Sequence, residues 1–435
     1  MQELQEGAES MKLTTDELAM LEGKEGPAVQ KAMELLMQYG EALDAEQFVD
    51  TNNVTVTVVP GSDTFRRIIP SMDMDDYVSK VFLNSDTKVY VDKVKAFTTS
   101  NAGFRDYSYP QYQKGGQEAC DIAEQAERYS QRIGIVTLNS CVPYQCGNIP
   151  TKGESCAWTE SSAIAYCNSI LGAKTNIEGG PSAFAAAVAG KTPLVGMHLD
   201  ENRKGQVIVQ VEAPMDTVQD WALLGYFTGP LVGLEVPVYT NIKTRPDLFM
   251  NMSLCAAGIS SGSIVMFHIP GITPEAPNLE IATGGAKNLP VITYGLEDRK
   301  KTHEILNQSR KDDVDVIVLG CPHYTLERIA TLASLLDGKK VHENVELYIT
   351  IGRAQKAIAD MMGYTDIITK AGGILLVDSC GTVIVINPAK VLASDSAKIL
   401  HYIPRMTGVH STLLGSLEDC IVAATTGKWK GSVLR

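Results

Sequence analysis

The chain has 435 residues, 44% hydrophobic and 20% charged, with 38 basic against 51 acidic side chains for a net charge of −13. These proportions suit a folded globular protein of two or three domains and exclude compositional disorder. The acidic balance argues against non-specific binding to nucleic acid or to an anionic membrane, while leaving room for a small anionic substrate held by local cations.

The N-terminal stretch MQELQEGAES is acidic where a signal peptide needs a basic and then an apolar segment. No apolar run approaches the ~18 residues needed to span a bilayer, so a cytoplasmic protein that binds no membrane and no nucleic acid is expected. Residues 11–48 read as helical, with Thr14 or Thr15 as a cap and Pro27 opening a second helix. Strands are expected at 53–61 and 88–99, and an Ala-rich helix at 116–132. Beyond that point one pattern recurs: a short β-branched run, a turn, then a helix. The runs are IGIVTLNS (133–140), QVIVQVEA (206–213), GSIVMFHI (262–269), DVDVIVLG (313–320) and GGILLVDS (372–379). Strands alternating with helices predict α/β architecture with largely parallel sheets. Approximate divisions fall at 1–132, 133–290 and 291–435, an N-terminal, a central and a C-terminal α/β region.

In parallel sheets ligands gather at the carboxyl ends of the strands. Three of the runs lead into cysteines: Cys141, Cys321 and Cys380. The nine cysteines are dispersed and odd in number, which suits reduced thiols rather than a disulfide framework. Three thiols meeting in one crevice would suit an iron–sulfur cluster with one iron left open as a Lewis acid, and dehydration is the reaction such a centre serves. The competing reading of each cysteine is a small buried hydrophobe. There is no C-x-x-C pair, Cys146 and Cys156 lie close to Cys141 along the chain, and a Cys321/His323 zinc site is a further option. Polar clusters accompany the turns. Glu160, Ser161 and Ser162 stand at an expected helix start, as substrate contacts or as caps. Arg203 stands in GMHLDENRKG, as a carboxylate or phosphate ligand or in a solvated turn. Ser396 and Lys398 stand in ASDSAKILHY, as site residues or in a capped helix. No phosphate-binding loop and no serine elbow occurs.

The ordered strings CVPY, ESCAWTESSAIAYCNSILGAKTN, GKTPLVGMHLDENR, GITPEAP, LGCPHYTLE, VDSC and SDSAKILHY resemble the catalytic large subunit of the aconitase X family, from about residue 12 to the C-terminus. The resemblance implies an aconitase-type fold of three α/β domains around a central cleft, without the swivel domain, which would come from a small partner subunit. It implies an iron–sulfur cluster (2Fe–2S or 4Fe–4S) or iron on Cys141, Cys321 and Cys380. Catalytic roles would fall to Ser396, Lys398, His323 and Glu160, and substrate binding to Ser161 and Arg203. The expected activity is a hydro-lyase acting on a small hydroxy acid. Cis-3-hydroxy-L-proline, giving Δ1-pyrroline-2-carboxylate, is the first expectation, and mevalonate 5-phosphate is the alternative. A non-catalytic metal-binding scaffold or partner protein is the reading from another class.

Overall fold

The computed structural model describes residues 11–60, 73–101, 103 and 105–431. Thr14, not Thr15, caps the helix Thr15–Leu21, because Glu17 returns a bond to the Thr14 backbone. Pro27 opens the helix Pro27–Ala42. The first unit then lays down β1 (Phe48–Asp50), β2 (Asn53–Val56), β3 (Phe97–Ser100), β4 (Cys156–Trp158) and β5 (Lys191–Pro193). β2 is the centre of a parallel sheet ordered β3-β2-β4, while β1 and β5 form an antiparallel pair. Every residue of β2 is buried, since the Ala-rich helix Gly180–Ala189 covers it, so the expected alternation has no exposed face to express. Because β4 bonds to β2, this sheet draws on chain from both sides of residue 132.

The second unit contains β6 (Val207–Val211), β7 (Pro237–Thr240) and β8 (Val291–Tyr294), parallel in the order β7-β6-β8. Its helices Val218–Val232 and Leu248–Gly262 cross with their backbones touching. A Cβ on Gly262 would stand 1.9 Å from the Gly229 carbonyl carbon, so only glycine fits that crossing.

The third unit holds β9 (Val316–Leu319), β10 (Glu346–Ile351), β11 (Gly373–Val377), β12 (Val391–Ser394) and β13 (Ser411–Leu414). All pairings are parallel, in the order β11-β10-β9-β12-β13. The chain runs outward from β9 through β10 to β11, then returns to the other side of β9 for β12 and β13. The order therefore reverses between β9 and β12, and a crevice opens at the carboxyl ends of those two strands.

Three expected strands are not regular ones. Residues 88–96 are irregular. The 133–140 run lies extended beside β3 with a single bridge, Val136 to Thr99. The 262–269 run starts inside a helix and then makes one parallel bridge, Val238 to His268. Its apolar side chains from Ile264 to Ile269 are buried without a ladder, and hydrophobicity alone does not distinguish those cases. Among the described residues, no helix is long and apolar enough to cross a membrane.

Candidate active site

Each of the three cysteines is aimed by a residue in the left-handed region just before it. Gly320 (φ 89°) precedes Cys321 directly, while Asn139 (φ 49°) and Asp378 (φ 60°) stand two residues before Cys141 and Cys380. These residue types bear that conformation at least cost. At Gly320 a side chain is also excluded by space, since its Cβ would lie 2.1 Å from the Thr350 carbonyl oxygen. The chain thus turns sharply off β9 and β11 at their carboxyl ends. The result is one cavity of about 250 Å³ lined by all three thiols together with Glu160, Ser161, His323, Thr350 and Lys398.

Lys398 and Glu160 form the charged pair of this cavity. Lys398 enters on the first turn of the helix Ala397–Thr407, which follows β12, and Glu160 stands at the N-terminal boundary of the helix Ser161–Tyr166, which follows β4. The ammonium Nζ donates to Glu160 Oε1 at 2.8 Å and to Ser161 Oγ at 3.0 Å. Burial alone would lower the Lys398 pKa, but the Glu160 carboxylate outweighs it, and the pKa is raised. Burial likewise favours a protonated Glu160, yet the Lys398 charge and hydrogen bond, with the Ser162 backbone N–H, hold its pKa below the usual value. Both groups are therefore charged at neutral pH. The thiols behave oppositely: burial pushes Cys321 up to about 12 and Cys141 well above the ordinary thiol value, with Lys398 opposing both shifts.

His323 reaches all three cysteine loops. Its backbone N–H donates to Cys141 Sγ at 3.3 Å. Nδ1 is 3.2 Å from Ser140 Oγ, and Nε2 is 2.8 Å from the Ser379 carbonyl oxygen. Ser396 does not line the cavity. It caps its helix by accepting from the Ile399 N–H, and its hydroxyl donates to the Cys321 carbonyl.

Arg203 lies elsewhere and is not available to a ligand in this cavity. Its guanidinium is fully buried, donates to Glu275 in two-pronged fashion, and also donates to the carbonyls of Met197, Asn168 and Ala173. The loop 196–205 is thus clamped to the loop 268–277, which carries Glu275. Cys146 donates to Gln355 Oε1, and Cys156 is fully buried beside Cys167; neither lines the cavity. Tyr402, the last residue of the ASDSAKILHY segment, also lines it, and sequence reasoning passes over Thr350, Thr382 and Met406, which do so too. Thr350 was within reach of the strand-end rule, since it lies near the carboxyl end of β10. Arg105 and Lys114 lie in loops without periodicity. Neither lines the cavity, but the Lys114 ammonium donates to the carbonyls of Thr382 and Met406, which do, while Arg105 lines a separate cavity.

The donor set fits a thiolate-bound metal centre. All three thiols are free and share one cavity. Among the described residues, no three His, Cys, Asp or Glu side chains gather about one point as a mononuclear site requires. Thiolates that bind different irons of one cluster need not converge in that way. Buried thiols with raised pKa values stay protonated unless a metal cation takes the place of the proton.

Comparison with known proteins gives a consistent pattern. Family models described as aconitase X first, second and third domains match residues 10–201, 205–304 and 314–426. The phosphomevalonate dehydratase large subunit of Thermococcus kodakarensis is 38% identical over 90% of this chain and 95% of its own length. The one from Methanothermobacter thermautotrophicus is 35% identical over 93% and 96%. A cis-3-hydroxy-L-proline dehydratase of Pseudomonas aeruginosa is 29% identical over 94% of this chain but 69% of its own length. The crystal structure of Thermococcus kodakaraensis aconitase X in its holo-form superposes with a TM-score of 0.81 at 35% identity, covering 95% of this chain and 100% of that one.

Proposed function

The chain belongs to the aconitase X family of hydro-lyases, and on that premise we propose that it dehydrates a phosphorylated hydroxy acid, mevalonate 5-phosphate, at an iron–sulfur centre on Cys141, Cys321 and Cys380. The expected three-domain aconitase-type α/β fold is shared with the solved relative. The substrate choice rests chiefly on Lys114, whose ammonium donates to the carbonyls of the cavity-lining Thr382 and Met406. Read from sequence alone, the chain leans towards cis-3-hydroxy-L-proline, whose single carboxylate needs one cation, and Lys398 supplies it. A second cation beside the cavity suits the phosphate of the alternative substrate better. The length match to relatives named as phosphomevalonate dehydratase large subunits supports the same choice and brings a small partner subunit into the proposal.

When bound, the centre would supply an open iron that acts as a Lewis acid on the departing hydroxyl. The remaining roles belong to this chain. Lys398, with two of its three donors already placed, would turn the third to the substrate carboxylate. Ser161 would fix the same carboxylate by hydrogen bonding. Glu160, ionised and low in pKa, is a weak base, so its role is to hold Lys398 and Ser161 in place. Ser396 would steady the Cys321 turn through its carbonyl. The base that takes the substrate proton is assigned to the partner subunit.

Anaerobic assembly with the small subunit, iron and sulfide loading, and assay of both acids test this reading. Turnover of mevalonate 5-phosphate, with a raised KM in Lys114→Ala, is expected. Turnover of cis-3-hydroxy-L-proline alone would overturn the substrate, and an iron-loaded complex that turns over neither would leave only a metal-binding scaffold.

A further inference from the structure

We infer that His323 is a positioning residue that sets the spacing of the three thiols, and not a proton-transfer group. The inference rests on the reading that Cys141, Cys321 and Cys380 hold a metal centre. His323 follows Cys321 by two residues, so it is anchored to the first thiol through the chain. Its backbone N–H reaches the second thiol, Cys141 Sγ. Its ring then spans the other two loops. A carbonyl only accepts, so Nε2 must carry the proton and donate to Ser379 O, one residue before Cys380. Nδ1 is then the bare nitrogen, and it accepts from the Ser140 hydroxyl, one residue before Cys141. The tautomer is fixed by these two partners.

A ring with both nitrogens engaged in this way has none to offer a substrate, although it borders the cavity. It is also 1% exposed. Its two partners are held in turn. Ser140 Oγ accepts from the Val142 N–H, and Ser379 Oγ donates to Gln113 Oε1. Gln113 itself donates to the carbonyls of Asp106 and Tyr109, which ties the Cys380 loop to the 106–113 loop of the first unit. His323 is thus the cross-brace between Cys141, contributed by the first unit, and the two cysteines of the third. Residues behind metal ligands typically change metal affinity about 10–100-fold when lost.

The test compares His323→Leu, His323→Gln and Ser140→Ala with wild type, each as the full chain assembled anaerobically with its small subunit. Iron per chain after loading with ferrous iron and sulfide, the visible charge-transfer spectrum and the pH profile of kcat are recorded. His323→Leu should lose iron at least tenfold more readily. His323→Gln, whose amide nitrogen can replace Nε2 as donor to Ser379 O, should restore the iron content and keep the shape of the pH profile. Ser140→Ala should loosen iron although Ser140 does not line the cavity, and this variant carries the test if His323→Leu does not fold. Full iron content with an unaltered spectrum in both His323→Gln and Ser140→Ala, combined with a 10²–10⁴-fold loss of kcat and of one pH limb in His323→Gln, would show proton transfer and overturn the inference. Failure of the wild type to bind iron would instead reject the metal-centre reading on which it rests.

Discussion

Replacing Lys398 by Met removes the cation that permits Glu160 to be ionised inside the cavity. The side chains are 12% and 20% exposed, so the pair is screened little by solvent. Breaking one side of a buried pair costs about 3–5 kcal/mol, because the remaining charge has no partner. For a unit of about 150–250 residues, about 3 kcal/mol lowers the unfolding temperature by roughly 6–12 °C. Metal-free Lys398→Met, followed by scanning calorimetry at pH 7, should show that loss, and Glu160→Gln/Lys398→Met should recover most of it. The pH dependence has a definite sign. In the wild type the folded pKa of Glu160 is lowered, so its contribution is fully present above the unfolded value near 4.3 and is lost as pH falls through the folded value. Without Lys398 only burial acts strongly on it, the folded pKa rises above the unfolded one, and stability falls as pH rises through that new value. The gap between the two proteins should therefore widen from about pH 4.3 upward. Equal melting of the single and double variants across this range would refute the coupling.

Arg203→Leu should cost about 3–5 kcal/mol by stranding Glu275 and three carbonyls, with KM unchanged in the folded fraction; a raised KM at full stability would restore Arg203 as a substrate ligand. Gly320→Ala places a Cβ against the Thr350 carbonyl in a left-handed backbone that itself costs about 1–2 kcal/mol, so iron binding measured by metal analysis should fall together with thermal stability. His198 is buried, and burial first, then Arg203 and Lys174, lower its pKa to about 4. Its folded value lies below its unfolded one, so wild-type stability should fall as pH drops from about 6.5 to about 4, by roughly 3 kcal/mol in total. His198→Gln should flatten that limb in urea titrations.

How much of this site local sequence reveals depends on whether each residue is placed by its own strand or by a distant partner. Cys321 and Cys380 were legible because β9 and β11 are covered on both faces, and such strands read as unbroken apolar runs whose ends are easy to find. Thr350 follows the same rule near the carboxyl end of β10, yet ELYITI opens on a charge and alternates in polarity behind the Glu343–Asn344 turn, so the strand passed unread. Arg203 shows the opposite case. An arginine in GMHLDENRKG has the local features of a solvated or ligand-binding turn. Its actual partner, Glu275, is 72 residues away, and nothing in either loop encodes the other. Lys398 and Glu160 are 238 residues apart and meet only because the first and third units close on one cavity. Their residue types were legible as chemistry, but their pairing was not. That pairing decides their roles: a lysine with a buried carboxylate against it stays cationic and binds, and the same carboxylate, held ionised by the lysine, gives up the basicity that general-base catalysis would need.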